Sequence, residues 1–278
     1  MAPRSRLSRT DKVMKLKPVS GKRSIRLDDS DAHVQKSIAS DDVERETRKY
    51  TDRISALQHV LYADARYSLL IVLQGRDASG KDGTIRKVFS AVNPQGCNVA
   101  SFKAPTELEQ HHDFLWRIHQ QVPHRGMIGI FNRSHYEDIL VPRVHGTLPK
   151  KVWTARYAQI NDFEAMLAAN KVVILKFLLH ISRDEQKRRL ADRLTDREKN
   201  WKFRTEDLDD RRLWNEYTKA YRGILANTNT ASAPWYLVPA DDKDVRNLLI
   251  ARTIAERLAG LHLRYPPMDP SMAGIKVK

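Results

Sequence analysis

The run Ser68-Leu69-Leu70-Ile71-Val72-Leu73 is apolar at every position after the first, without the alternation of a half-exposed strand. Such a run suits a strand covered on both faces, and that burial implies a parallel sheet held between helical layers. It feeds Gly75-Arg76-Asp77-Ala78-Ser79-Gly80-Lys81-Asp82, after which Gly83-Thr84-Ile85-Arg86-Lys87-Val88-Phe89 reads as a helix start. Strand, glycine loop and helix start together make the setting of a phosphate-binding loop. Backbone N–H groups and the helix N-terminus cradle phosphate oxygens, and one lysine reaches across them. The spacing from Gly75 to Gly80-Lys81 fits G-x-x-x-x-G-K. The next residue should be Ser or Thr, to hold Mg²⁺, and here it is Asp82. The loop carries a second acid, Asp77. The chain is expected to handle phosphates, but not by the usual nucleoside-triphosphate arrangement.

Short branched runs recur at about 97–102, 126–131, 171–179 and 235–238, separated by helical patterns at 41–64, 106–122, 149–169, 205–227 and 242–262. Thr106 and Glu109 form a capping-box pattern. The alternation predicts an α/β three-layer sandwich around a central parallel sheet. Ligands in such folds sit beyond the carboxyl ends of the strands, which gathers 74–84, 102–107, 132–138 and 180–204 at one edge. Residues 1–40 read as a basic, flexible arm able to order in part on the body, 41–264 as the folded domain with a lid at about 183–204, and 265–278 as a tail.

The net charge of +15 points to a polyanionic partner. Residues 1–26 hold nine Lys/Arg and one acid, Asp11, so about +7 remains for the rest of the chain. The single cysteine, Cys97, excludes an internal disulfide and a cysteine-ligated cluster and fits a reducing, cytoplasmic setting. No apolar run approaches a membrane span, and the basic N-terminus lacks the apolar core of a secretory signal.

Lys81 is the leading site candidate, because a cation at a helix start opposes the helix dipole unless an anion is bound there. Around it, Gly75, Ala78, Ser79, Gly80, Asp82, Gly83 and Thr84 are candidate phosphate contacts. Asp77 would hold a metal or position the acceptor; a plain turn role is the alternative. Asp82 could instead cap the helix. Asn132-Arg133 ends the third strand, where many phosphate-loop enzymes place a metal-binding acid. An amide is a weak ligand, so Glu137 and Asp138 are candidates to replace it, and Arg133 is a candidate bidentate phosphate clamp. Arg143 and His145 follow. Arg189, Arg193 and Arg197 lie four apart, so a helix would align them as an arginine lid. An ordinary charged helix, laced with Asp192, Asp196 and Glu198, is the competing interpretation.

Taken in order, these motifs resemble the polyphosphate kinase 2 family, over about residues 45–260. The resemblance rests on Gly75–Gly83, Ser101-Phe102-Lys103-Ala104-Pro105-Thr106, Phe114-Leu115-Trp116-Arg117, Asn132-Arg133-Ser134-His135-Tyr136-Glu137-Asp138, and Arg193 with Lys199-Asn200-Trp201-Lys202. It implies a thymidylate-kinase-like phosphate-loop fold with a helical lid. It also implies reversible transfer of the terminal phosphoryl group of inorganic polyphosphate to nucleotides, with Mg²⁺ or Mn²⁺, in a homo-oligomer (dimer or tetramer). Carried over by motif, Asp77 and Lys81 are the loop acid and lysine. Arg133, Arg189 and Arg193 become phosphate contacts, as do Lys199 and Lys202 of the lid. Lys103, Arg117, Asn132, Glu137 and Arg143 become nucleotide contacts, with Asp77, Glu137 and Asp138 as metal ligands. Many members read Asp-Arg-Ser-Trp-Tyr-Asn where this chain reads Asn-Arg-Ser-His-Tyr-Glu. That version looks like the subgroup accepting both AMP and ADP, and guanine nucleotides are further expected acceptors.

Two other interpretations compete. An ATP-dependent nucleoside or nucleotide kinase would share the loop, but Asp82 and the net charge favour polyphosphate as donor. A basic nucleic-acid-binding module lacks a recognisable groove-reading motif.

Overall fold

The computed structural model describes residues 15–20, 26–34, 39–272 and 274–275. Its helices and strands follow in chain order as α1 (Ser40–Asp64), β1 (Ser68–Gln74), α2 (Lys81–Val88), β2 (Cys97–Ser101), α3 (Glu107–Gln110), α4 (Trp116–His119) and β3 (Ile128–Asn132). Then come α5 (Glu137–His145), α6 (Lys150–Ala169), β4 (Val172–His180), α7 (Arg183–Thr195), α8 (Glu206–Arg212), α9 (Trp214–Thr228), β5 (Trp235–Pro239) and α10 (Lys243–Ala259). The five strands form one parallel sheet in the order β2-β3-β1-β4-β5.

The uninterrupted apolar pattern of β1 is explained by its place at the centre. Leu69, Ile71 and Leu73 face one core with α1 and α10, while Leu70 and Val72 face a second core with α5, α6 and α9. Register pairs Leu73 with Asn132 and Gln74 with Leu178, so β1 and β3 end within a residue of each other and β4 runs two residues further. Chain order reverses across β1, and that switch point is where the glycine loop emerges.

Two expected helices are broken. The segment 106–122 forms only the single turns α3 and α4. The Thr106–Glu109 capping box is present, but Asp113 accepts from the Leu115 N–H (2.9 Å), a local turn that competes with helix continuation. The 205–227 helix divides at Leu213 into α8 and α9. Of the polar motif after β3, only the last two residues, Glu137 and Asp138, are helical, at the start of α5.

The basic arm is ordered on the body in part. Its described parts lie on the body: Val19 N–H donates to Trp235 C=O (2.8 Å), Lys15 pairs with Glu256 (2.6 Å), and Leu27 and Ala32 are buried. Leu16, Val19 and Val34 pack against the cores as well. Residues 1–14, which carry four of the nine N-terminal cations, lie outside the described residues.

Candidate active site

The loop after β1 is built for close approach. Gly75 and Gly80 have φ of +152° and +99°, and Ala78 is also left-handed at +62°. A Cβ on Gly80 would lie 2.1 Å from Arg246 Nη1, so the position has neither the backbone freedom nor the space for a side chain. The first intrahelical bond of α2 runs from Thr84 N–H to Gly80 C=O (2.9 Å), leaving the N–H groups at the helix start facing the loop. Among the described residues, the buried Ser79 Oγ has no partner. Unsatisfied donors around a glycine turn are what an anion would satisfy.

Lys81 is buried beneath this turn, with Nζ on the carbonyls of Gly75 (2.7 Å) and Arg76 (3.3 Å). Burial pulls its pKa down, against the opposing pull of Asp77. Asp77 pairs with Arg133 (2.9 Å), which holds a left-handed φ of +63° at the end of β3. Burial disfavours the guanidinium charge of Arg133, but Glu137 and Asp77 more than reverse this and raise its pKa. Glu137 opens α5 and lines the same cleft. Burial raises its pKa, opposed by Arg133 and Lys81. Gln74 bridges the two sides. With its amide oriented to satisfy both ends, nitrogen donates to Glu137 Oε1 (2.9 Å) and oxygen accepts from Ser134 Oγ (2.9 Å).

Asp77, Lys81, Arg133 and Glu137 therefore form one charge cluster at the switch point. No group of three or more His, Cys, Asp or Glu that could hold a metal occurs among the described residues. Mg²⁺ at phosphate sites takes only one or two carboxylates, the remainder being phosphate and water. The hard oxygen donors of Asp77 and Glu137 fit that requirement.

Other expected contacts are engaged differently. Asp138 pairs with Arg117 (3.1 Å), and Arg117 Nη1 donates to Lys103 C=O (2.8 Å), so this acid and arginine tie α5 to the segment after β2 rather than joining the cluster. Arg143 donates to Tyr157 Oη (3.0 Å) and lies over Trp153. Thr84 is fully buried, its hydroxyl on Asn247 (3.3 Å). Arg189 is bonded on all sides within the protein. Its five N–H donors meet Glu185 and the carbonyls of Ala78, Ser79, Ala240 and Asp241, at 2.7–3.3 Å. It holds the glycine loop from behind instead of reaching into it.

On the lid, Arg193 pairs with Asp207 (3.0 Å) and Lys202 with Asp82 (3.2 Å), while Lys199 pairs with Asp196. Arg197 lies beyond the end of α7, off the face shared by Arg189 and Arg193. Asp82 is not the helix cap; Gly80 occupies that position.

Three residues were not anticipated. Arg76 stacks 3.8 Å from the Trp214 ring and donates to Trp214 C=O (3.2 Å), and its buried Nη1 has no partner among the described residues. Burial pulls its pKa down to about 10. Tyr217 and Tyr221 of α9 complete that wall of the cleft. Arg76 was visible inside the loop motif, but nothing in the sequence joined it to aromatics more than 130 positions later.

The family model for polyphosphate kinase 2 (PPK2) matches residues 37–264. The chain is 52% identical over 225 residues to the AMP/ADP-polyphosphate phosphotransferase of Meiothermus ruber, covering 81% of this chain and 84% of that one. It is 44% identical over 236 residues to the ADP-polyphosphate phosphotransferase of Rhodopseudomonas palustris, covering 81% and 82%. The crystal structure of polyphosphate kinase 2 from Arthrobacter aurescens superposes with a TM-score of 0.83 at 36% identity, over 92% of this chain and 95% of that chain. With the phosphate loop at the switch point of a five-stranded parallel sheet, these matches establish that the chain belongs to the polyphosphate kinase 2 family.

Proposed function

We propose that the protein transfers the terminal phosphoryl group of inorganic polyphosphate to AMP and ADP, reversibly and in line. Guanine nucleotides are the further acceptors. The observation that carries this reading is the placement of Lys81, Arg133, Asp77 and Glu137 around one glycine loop, in a chain whose relatives are named for this transfer.

The acceptor is a nucleotide phosphate oxygen, already ionised at neutral pH, so no strong general base is needed. That oxygen forms a bond to the terminal phosphorus, the bridging P–O bond breaks, and polyphosphate leaves one unit shorter as an oxyanion. Alignment and charge neutralisation then supply the catalysis. In this reading the loop N–H groups and Lys81 bind the transferring phosphate, while Arg133 orients it from β3. Arg193, Lys199 and Lys202 bring positive charge from the lid, and Arg76 fixes the wall next to Glu137. A divalent cation, Mg²⁺ or Mn²⁺, would be held by Asp77 and Glu137 and would neutralise charge on the phosphate oxygens. No helix is long and apolar enough to cross a membrane among the described residues. A cytoplasmic homo-oligomer is part of the proposal.

The test is to incubate the protein with AMP, Mg²⁺ and long-chain polyphosphate without ATP, and to follow ADP and ATP. Both products are expected. Their absence, with turnover from ATP and a nucleoside instead, would replace this reading with the ATP-dependent one. Lys81→Ala should abolish transfer in a protein that still unfolds cooperatively; near-normal turnover removes Lys81 from the assignment.

A further inference from the structure

β4 is covered on both faces, yet its middle residue is a lysine, Lys176, with no exposed surface. Val172, Ile174 and Leu178, two and four positions away, belong to the second core, and strand alternation puts Lys176 on the same side. Its three N–H donors are all taken, by Glu164 Oε2 of α6 (2.6 Å), Thr228 C=O of α9 (2.7 Å) and Tyr136 Oη (2.8 Å). Glu164 Oε1 in turn accepts from Tyr136 Oη (2.8 Å) and from His135 Nε2 (3.2 Å). One carboxylate thus holds two adjacent residues of the motif after β3, and one ammonium holds the carboxylate. Burial pushes the Glu164 carboxyl up, but Lys176 and the His135 bond more than reverse this and keep its pKa below the ordinary value.

We propose that Glu164 is a positioning residue of the transfer site: braced by Lys176, it clamps His135 and Tyr136 and so fixes where Arg133 and Glu137 stand in the cleft. This role rests on the phosphoryl-transfer reading, to which it adds what holds two of the cleft residues in place.

Ser134, His135 and Tyr136 are the three residues between Arg133 and Glu137, and all three are fully buried. Arg133 has a left-handed φ of +63°, a backbone state that persists only where its surroundings hold it. On one side its own N–H donates to Leu73 C=O (3.1 Å), and on the other Ser134 is tied to Gln74. The Glu164 clamp takes over from there to the start of α5. The His135 ring lies against Tyr136 and Phe163, and its Nδ1 has no partner among the described residues, so its polar orientation rests on Glu164. Stability is a poor reason for such a pair. Desolvating two charges offsets much of their attraction, and apolar side chains of like volume often serve as well. What apolar side chains cannot supply is an acceptor for His135 and Tyr136.

Two charge-balanced double variants of the full chain separate the roles. Glu164→Leu/Lys176→Met removes the pair and the acceptor. Glu164→Gln/Lys176→Met removes the pair but leaves an amide oxygen to accept from Tyr136 and His135. Steady-state polyphosphate-to-AMP transfer is measured where denaturant unfolding shows each variant fully folded, with hydrogen exchange of the ligand-free proteins alongside. The leucine variant should lose about ten- to a hundredfold in kcat with KM little changed, as expected for lost alignment. Its exchange should quicken across 133–138 more than across β1. The glutamine variant should recover most of the kcat. Wild-type kcat in the leucine variant, a glutamine variant no faster than it, or exchange that rises evenly over the molecule overturns the proposal. Tyr136→Phe removes a single hydroxyl from the clamp and decides the matter if the leucine variant does not fold: kcat should fall and exchange across 133–138 should quicken, and no change in either overturns it. A wild-type protein without transfer from polyphosphate, but with exchange localised as described in the variants, sinks the functional reading and leaves the clamp standing.

Discussion

Glu137 is a carboxylate that the fold buries beside Lys81 and Arg133 at a cost to the ligand-free protein. Its raised pKa means the folded state favours the protonated form. Stability from that form is fully present below the unfolded pKa of about 4.3 and is lost as pH rises through the higher folded value. Glu137→Gln removes the titration and keeps the shape. It should therefore match wild type near pH 4 and become increasingly more stable than wild type as pH rises toward 8, read as a difference in Tm that widens with pH. A difference that narrows as pH rises would show that Lys81 and Arg133 outweigh the burial. A second prediction at Glu137 concerns acceptor choice. Glu137→Asn, which restores the commoner family pattern, should lose more activity with AMP than with ADP, because a shorter acceptor depends more on a protein oxygen to place its cation. Equal losses in parallel assays would break that link. Both arguments need the side chain's surroundings: its position in the motif was legible in the sequence, its burial was not.

At the scale of elements, the glycine loop is positioned by two helices that the motif does not contain. Arg189 from α7 and Arg246 from α10 both bond the Ser79 carbonyl, at 3.3 and 3.2 Å. The four-residue spacing of Arg189, Arg193 and Arg197 correctly suggested a shared helix face for the first two. Spacing cannot say whether a guanidinium points at solvent or at five buried acceptors, and here the first arginine of the series faces inward. Similarly, the five strands were legible because branched runs bounded by turns leave few alternatives, while the division of 106–122 turned on one Asp113 side chain competing for a backbone N–H. Arg189 and Arg193 should accordingly separate in mutagenesis. Arg189→Met leaves loop carbonyls without partners and should destabilise by roughly 3–5 kcal/mol. Arg193→Met removes one partly exposed pair with Asp207 and should cost about 1 kcal/mol, while reducing transfer at least as severely. Denaturant unfolding alongside turnover tests the contrast, and a similar stability loss in both variants would show Arg193 to be structural as well.

Across the whole molecule, the carboxyl edge of the sheet carries more than the segment 183–204. Part of the N-terminal arm reaches it. His180, the last residue of β4, bonds Asp28 C=O through Nε2 (2.8 Å), Arg183 N–H meets Asp29 Oδ1 (3.3 Å), and Asp241 N–H meets Ala32 C=O (3.3 Å). These contacts brace the segment from which α7 leaves the sheet. They are anchored by Leu27, which is 5% exposed although its φ of +50° is unfavourable for a branched side chain. Left-handed backbone costs roughly 1–2 kcal/mol, which burial of the leucine in the second core offsets. Charge density hid this anchor in the sequence, where one leucine stands among cations and acids. Leu27→Ala keeps the backbone penalty and loses most of the burial, and should cost about 2–3 kcal/mol. Because the anchor holds the base of the lid, the variant should also speed hydrogen exchange across 180–186 more than across β1 or α10. Exchange that rises evenly over the molecule would mean that the arm adds stability without bracing the lid.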